Sequence, residues 1–141
     1  MLYKIQGDLI KATDFNVIAH GCNCQGVMGS GVAKQIKETY PEAYNQYYTQ
    51  YKNSGLFLGT IQVVKTPNRT IINAMSQLNY GRDKRHVSYD AIVSCVEQMN
   101  ALGYDKIALP MIGAGLGGGD WDIISTIIDK TSKFDAYVFI L

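Results

Sequence analysis

Residues 20–36 read HGCNCQGVMGSGVAKQI. A polar, sulfur-bearing segment runs into Gly26, Gly29 and Gly31, and the glycines run into a helical pattern. Val32, Ile36 and Tyr40 then recur at four-residue steps and line one helix face. Just upstream, NVIAH (16–20) is a short β-type run. The order is strand, glycine loop, helix. It recurs at KIALPMI (106–112), an apolar run of buried-strand type, followed by GAGLGGGD and then WDIISTIIDK. There Asp120 suits an N-cap, and Ile124, Ile127 and Ile128 face inward.

Working outward, LYKIQ (2–6), TIQVVKT (60–66), TIINAM (70–75) and AYVFIL (136–141) are further strands, with PNR as a turn between the middle two. Pro41 suits the first turn of a helix that carries Tyr44, Tyr47, Tyr48 and Tyr51 on one stripe, read as packing. From Ser88, the residues Ile92, Cys95, Val96, Met99 and Leu102 have helical spacing. LNYGRDKRH (78–86) reads as a polar loop. Strands alternating with helices imply an α/β fold with a mostly parallel sheet covered on both faces. Ligands of such sheets sit at the carboxyl ends of the strands, where both glycine clusters lie.

The 141 residues fit one domain, 1–141, and 47% of them are apolar, which excludes disorder. A net charge of +1 argues against direct nucleic-acid binding through phosphates. No apolar run approaches the ~20 residues of a membrane span. MLYKIQGDLI carries an amide and an acid too early for a signal peptide, and three cysteines are an odd number. A cytoplasmic monomer is the expectation.

Three readings of the glycines compete. As a Walker A loop, the cluster at 26–31 fails where Val32 replaces the lysine. As a dinucleotide fingerprint, Gly113, Gly115 and Gly118 fail because the chain ends with the strand that should supply the ribose-binding acid. A metal site at His20, Cys22 and Cys24 lacks a fourth ligand, and His86 and Cys95 have no supporting spacing. No metal and no cofactor are expected. Two glycine loops can instead converge on one diphosphate, its charge met by two helix N-termini. Two tight turns without a ligand are the remaining alternative.

GDLI near the N-terminus, NCQGVMGSGVA and LPMIGAGLGGGDW, in that order, resemble the macrodomain family. The resemblance covers essentially the whole chain. It is nearest the branch that holds ADP-ribose 1″-phosphate phosphatases, the terminal ADP-ribose protein glycohydrolase and the antitoxin that removes ADP-ribose from DNA. It implies a three-layer α/β/α fold with a mixed, mostly parallel sheet, and ADP-ribose or ADP-ribose 1″-phosphate as ligand. By resemblance, Asp8 accepts a hydrogen bond from the adenine amino group, with Leu9 in the same contact. Asn23 reaches the distal ribose. Gly29, Ser30, Gly31 and Val32 form the first diphosphate loop, and Gly113, Ala114, Gly115, Leu116 and Gly117 the second.

Two departures bear on activity. The deglycosylating members carry a lysine just after the strand that here reads TIINAM, where Ser76 or Gln77 stands. The terminal glycohydrolase carries an Asp where this chain has Gly117. The expectation is therefore a phosphatase that releases ADP-ribose from its 1″-phosphate; removal of ADP-ribose from protein or DNA, and non-catalytic reading of ADP-ribose, are the alternatives. The candidate acid or base groups are His20, Asp120 and Asp83, with Asn23 orienting the ribose or a water and Arg82 clamping the terminal phosphate.

Overall fold

The computed structural model describes residues 1–81, 86–115 and 117–141. In chain order the elements are β1 (Leu2–Gln6), β2 (Val17–Asn23), α1 (Gly31–Thr39), α2 (Pro41–Asn53), β3 (Ile61–Lys65) and β4 (Thr70–Gln77). α3 (Tyr89–Asn100), β5 (Lys106–Leu109), α4 (Trp121–Thr131) and β6 (Asp135–Ile140) follow.

The strands form one sheet in the order β1-β6-β5-β2-β4-β3. All neighbours run parallel except β3 and β4, a hairpin whose turn contains Pro67 and Asn68. Alternation along the central strands sends side chains to opposite faces. Ala19, Ile72, Ile107 and Val138 pack under α3 and α4, against Ile92, Val96, Ile124 and Ile128. Ile18, Ile71, Ala108 and Phe139 pack the other way, against Ile36 of α1 and Ala43 of α2. Helices on both faces make the three layers. A fully buried isoleucine contributes roughly 1.5–3 kcal/mol relative to an exposed one, so these two layers hold the sheet.

β2 is longer than the sequence pattern indicates. It continues past His20 to Asn23, because Gly21, Cys22 and Asn23 keep pairing with Ala74, Met75 and Gln77 of β4. Its register shifts between Cys22 and Asn23, where the strand leaves the ladder. β5 conversely stops at Leu109, just before Pro110, which has no N–H for a parallel neighbour.

This topology places the site. β2 and β5 are neighbours, yet the chain leaves β2 for α1 on one face and leaves β5 for α4 on the other. A crevice opens where two adjacent strands send their loops to opposite sides.

Candidate functional site

Both glycine loops wall one cleft of about 560 Å3 at that crevice, within the ~300–1,000 Å3 range of small-molecule sites. Gly29, Ser30, Gly31 and Val32 line one side; Gly113, Gly115 and Gly117 line the other; His20 and Asn23 lie between them. The loops that the sequence pairs are thus neighbours in space. Arg82, Asp83 and Leu116 lie outside the described residues.

The glycines fall into two groups when a Cβ is built on each. At Gly113 it would meet Val87 Cγ2 at 2.5 Å, at Gly117 the Gly113 carbonyl oxygen at 2.8 Å, and at Gly119 both Val87 and Ile124 below 3 Å. These positions are glycine because the loop folds tightly on itself and on Val87. Backbone bonds from Gly119 N–H to the Gly113 carbonyl (2.8 Å) and from His86 and Val87 N–H to the Gly117 carbonyl (2.8 and 3.1 Å) fix that packing. Gly115 has nothing within 4 Å, and Gly29 meets only Val27 at an ordinary 3.5 Å. Neither has a left-handed φ. No packing or strain asks for glycine there, and both line the cleft. Gly31 also faces open space, but its φ of +60° requires glycine.

The two helix ends differ. Ser30 precedes α1 without making a side-chain cap. Gly31, Val32 and Ala33 line the cleft, and their N–H groups, at the positive end of the helix dipole, have no recorded hydrogen-bond partner among the described residues. At α4, Asp120 accepts the Asp122 N–H at 2.9 Å and caps the helix. Of the two helices that follow the glycine loops, α1 therefore begins without a side-chain cap, while α4 begins with a carboxylate at its N-terminus. The exposed Asp120 is not among the residues lining the cleft.

His20 is 1% exposed. Its Nε2 lies 2.7 Å from Asn73 Oδ1. Asn73 Nδ2 donates to the Ala43 carbonyl and to Gln62 Oε1, and Gln62 Nε2 donates to Gln50 Oε1. Asn73 Oδ1 is therefore the acceptor, and the imidazole donates from Nε2. Burial pushes the His20 pKa down to about 4, against the smaller opposing effect of the Asn73 bond. The ring is neutral near pH 7 and tied into a buried amide chain linking β2, β4, β3 and α2. That geometry supports the packed, hydrogen-bonded reading of His20 over acid–base work.

Asn23 sits at the first loop with its carboxamide turned inward. Oδ1 accepts from Gln25 N–H at 2.9 Å and from the Tyr47 hydroxyl at 2.8 Å, and Nδ2 donates to the Val27 carbonyl at 2.7 Å. It holds residues 23–27 in their loop conformation, with one amide proton left for a ligand. The other loop glycine, Gly26, has φ +75° and packs under Tyr51, where a Cβ would meet the ring at 2.6 Å. The tyrosine stripe of α2 is thus partly a support for this loop.

Asp8 and Leu9 follow β1 at the same end of the sheet but do not line the cleft. Asp8 Oδ1 accepts the Ile10 N–H at 2.9 Å. Leu9 is 5% exposed and packs with Phe15 and Phe139, so its side chain belongs to the core. Ala114 packs against the core below its loop and is likewise absent from the lining.

Gln77, Tyr80 and Met111 are among the lining residues that were not singled out as ligand contacts. Each lies within three residues of the carboxyl end of a central strand, which was the available signal. Strand parity also separates Ser76 from Gln77. Ser76 is 1% exposed, with an unpaired Oγ against Gly21 and Ile112. Gln77 faces the cleft and donates from Nε2 to the Asn79 carbonyl at 2.7 Å.

Among the described residues no three His, Cys, Asp or Glu side chains are grouped to hold a metal ion. Burial raises the Cys22 and Cys24 thiols above their usual range and pushes Cys95 up to about 12. All three stay protonated and behave as packing groups. No helix among the described residues is long and apolar enough to cross a membrane.

A switch-point crevice walled by two glycine loops, with one uncapped helix end, defines an anion-binding α/β module. The macro domain family model matches residues 19–128, and the chain belongs to that family. It is 31% identical over 121 residues to the DNA ADP-ribosyl glycohydrolase of Mycobacterium tuberculosis, covering 82% of this chain and 34% of that protein. It is 44% identical over 68 residues to the ADP-ribose 1″-phosphate phosphatase of Aspergillus oryzae, covering 46% of this chain and 34% of that one. The chain thus spans about a third of the length of each of these two relatives. The structure of the macrodomain of Mycobacterium tuberculosis DarG superposes with a TM-score of 0.83 at 27% identity, covering 100% of this chain and 98% of that one.

Proposed function

We propose that this macrodomain binds ADP-ribose with its diphosphate between the two loops, and that it hydrolyses ADP-ribose 1″-phosphate to ADP-ribose and inorganic phosphate. One observation carries the reading. Gly29, Gly115 and the first turn of α1 line a cleft whose described lining holds no carboxylate. Such a site favours a ligand with several phosphate charges and repels none of them. In the reaction, water attacks phosphorus in line, the bond from phosphorus to the anomeric oxygen breaks, and that oxygen takes up a proton as the sugar leaves. The protein's part is to place the ester and to stabilise the equatorial oxygens with N–H groups.

Gln77 supports this reaction over lysine-dependent deglycosylation. Of Ser76 and Gln77, the two residues that stand where the deglycosylating members carry a lysine, it is Gln77 that lines the cleft, and a carboxamide carries no charge and no acidic proton. The second reading, release of ADP-ribose from DNA or protein, is favoured by the similarity to a DNA ADP-ribosyl glycohydrolase across 82% of the chain. One set of incubations separates the readings. Phosphate from ADP-ribose 1″-phosphate supports the phosphatase. Free ADP-ribose from modified DNA or protein, with no phosphate release, replaces it by the second reading. Binding by calorimetry without turnover leaves a reader of ADP-ribose, and no binding removes all three.

A further inference from the structure

One buried charge lies outside the cleft lining. Arg69, in the turn between β3 and β4, is 6% exposed. Among the described residues no carboxylate pairs with it; the ion pair recorded there joins the N-terminus to Asp135. Its guanidinium instead grips backbone. Nη1 donates to the Ile10 carbonyl at 2.9 Å, reaches the Leu9 carbonyl at 3.4 Å and donates to the Tyr40 hydroxyl at 3.2 Å, while Nη2 donates to the Ala12 carbonyl. The arginine's own backbone is locked by Thr66, which donates to the Arg69 carbonyl from both N–H and Oγ1.

What Arg69 holds is residues 7–16, the crossover from β1 to β2. This segment passes between parallel strands without a helix, so it lacks an internal ladder of backbone bonds. Its backbone–backbone bonds are short-range turns: Ala12 N–H to the Leu9 carbonyl at 3.4 Å, Thr13 N–H to the Lys11 carbonyl at 3.0 Å and Phe15 N–H to the Ala12 carbonyl at 3.3 Å. A buried cation without a counter-ion is costly and persists only where its donors are needed. Here they meet carbonyls of three residues within one four-residue stretch. The peptide groups of Ile10 complete the link: its carbonyl accepts from Arg69, and its N–H donates to Asp8 Oδ1. One rigid residue thus joins the buried guanidinium to the carboxylate at the end of β1.

We propose that Arg69 is the positioning residue for base recognition: it fixes the crossover so that Asp8 presents its remaining oxygen to the exocyclic amino group of adenine. The proposal rests on the reading of the cleft as an ADP-ribose site with Asp8 at the base. Arg69 touches no ligand itself.

The test uses the full chain carrying Arg69→Met, with Arg69→Lys to retain the cation and Tyr40→Phe to remove one partner without disturbing the carbonyls. Calorimetry compares ADP-ribose, its hypoxanthine analogue, which lacks the amino group, and ribose 5-phosphate. Hydrogen exchange follows the amides of residues 8–13. The expected result for Arg69→Met is faster exchange confined to that segment, an ADP-ribose affinity lower by about tenfold, and loss of preference over the hypoxanthine analogue, with ribose 5-phosphate binding kept within about twofold. Arg69→Lys recovers part of the preference, and Tyr40→Phe changes it by less than about threefold. Equal losses for ADP-ribose and ribose 5-phosphate, or an unchanged base preference in a folded Arg69→Met protein, overturn the proposal. If Arg69→Met does not fold, an Arg69→Lys protein with wild-type exchange at residues 8–13 but no base preference overturns it as well. A wild-type protein that binds ADP-ribose without preferring adenine, and whose Asp8→Ala variant is unchanged, instead overturns the underlying assignment of Asp8.

Discussion

The Tyr47 hydroxyl, buried on the inner face of α2, lies 2.8 Å from Asn23 Oδ1 and 2.6 Å from the Asn23 carbonyl oxygen. One hydroxyl proton is shared between two acceptors, of which Oδ1 also accepts from the Gln25 N–H. Burial raises the Tyr47 pKa well above its ordinary value, so the donor persists at every working pH. The pair ties α2 to the loop that opens the cleft. Tyr47→Phe removes the hydroxyl donor from the Asn23 carbonyl and one of the donors from Oδ1, and is expected to cost about 1–2 kcal/mol. Urea unfolding measures that cost. Because residues 23–27 loosen, ADP-ribose affinity should fall severalfold while the far-ultraviolet spectrum stays native. An unchanged midpoint would show that the pair carries no stability.

The two groups of glycines give opposite expectations for the same substitution. Gly115→Ala enters open space without backbone strain, so the melting temperature should hold, the change staying within about 0.5 kcal/mol. Its methyl group then stands between ligand and backbone, and affinity for ADP-ribose should drop by about tenfold. Gly119→Ala drives a methyl into Val87, Ile124 and the Gly113 carbonyl, all below 3 Å. Overpacking of this kind costs roughly 1–3 kcal/mol, and thermal unfolding reads it directly. If both variants lose stability alike, the division between packing glycines and ligand glycines fails.

That division marks where the sequence stops being informative. The alternation of strands and helices, the placement of both glycine loops at strand ends and the Asp120 cap follow from local pattern, because periodicity and turn chemistry are local. The reason for each glycine is not local: Gly113 and Gly119 are set by Val87, about thirty residues away in sequence. His20 shows the same limit. A histidine at a strand end followed by Cys and Asn reads as a site residue. Its partner Asn73 is 53 positions distant, and the bond between them becomes visible only once β2 is known to pair with β4. Gln77 was ambiguous with Ser76 until strand register decided which of two adjacent residues faces the cleft.

The neutral His20 makes stability depend on pH in a defined direction. An unfolded chain protonates this histidine near its ordinary pKa of 6.5, whereas burial holds the folded group at about 4. Between these values the unfolded state binds more protons, so stability falls as pH falls from about 6.5 toward 4, and this contribution is fully present above 6.5. The shift corresponds to on the order of 3 kcal/mol. Unfolding by urea at several pH values across that window should show the slope, superimposed on the carboxylates. His20→Gln, which can still donate to Asn73, should flatten it. A variant with the wild-type pH profile would mean that the histidine is not the titrating group.

Asp120 is the residue for which two readings remain in direct competition, and two substitutions separate them. As an N-cap it accepts the Asp122 N–H at 2.9 Å and places a negative charge at the positive end of α4. Asparagine caps about as well as aspartate, whereas alanine does not cap; Asp120→Ala should therefore cost about 1 kcal/mol and Asp120→Asn little. An acid or base in the reaction obeys a different rule. Asparagine cannot exchange a proton, so Asp120→Asn would lose on the order of a hundredfold or more in kcat if the carboxylate acted in catalysis. The cap is exposed and absent from the cleft lining, so the expected result is full turnover of ADP-ribose 1″-phosphate by Asp120→Asn, with a lowered melting temperature only in Asp120→Ala. Loss of kcat in a stable Asp120→Asn protein would move Asp120 from the helix cap into the reaction.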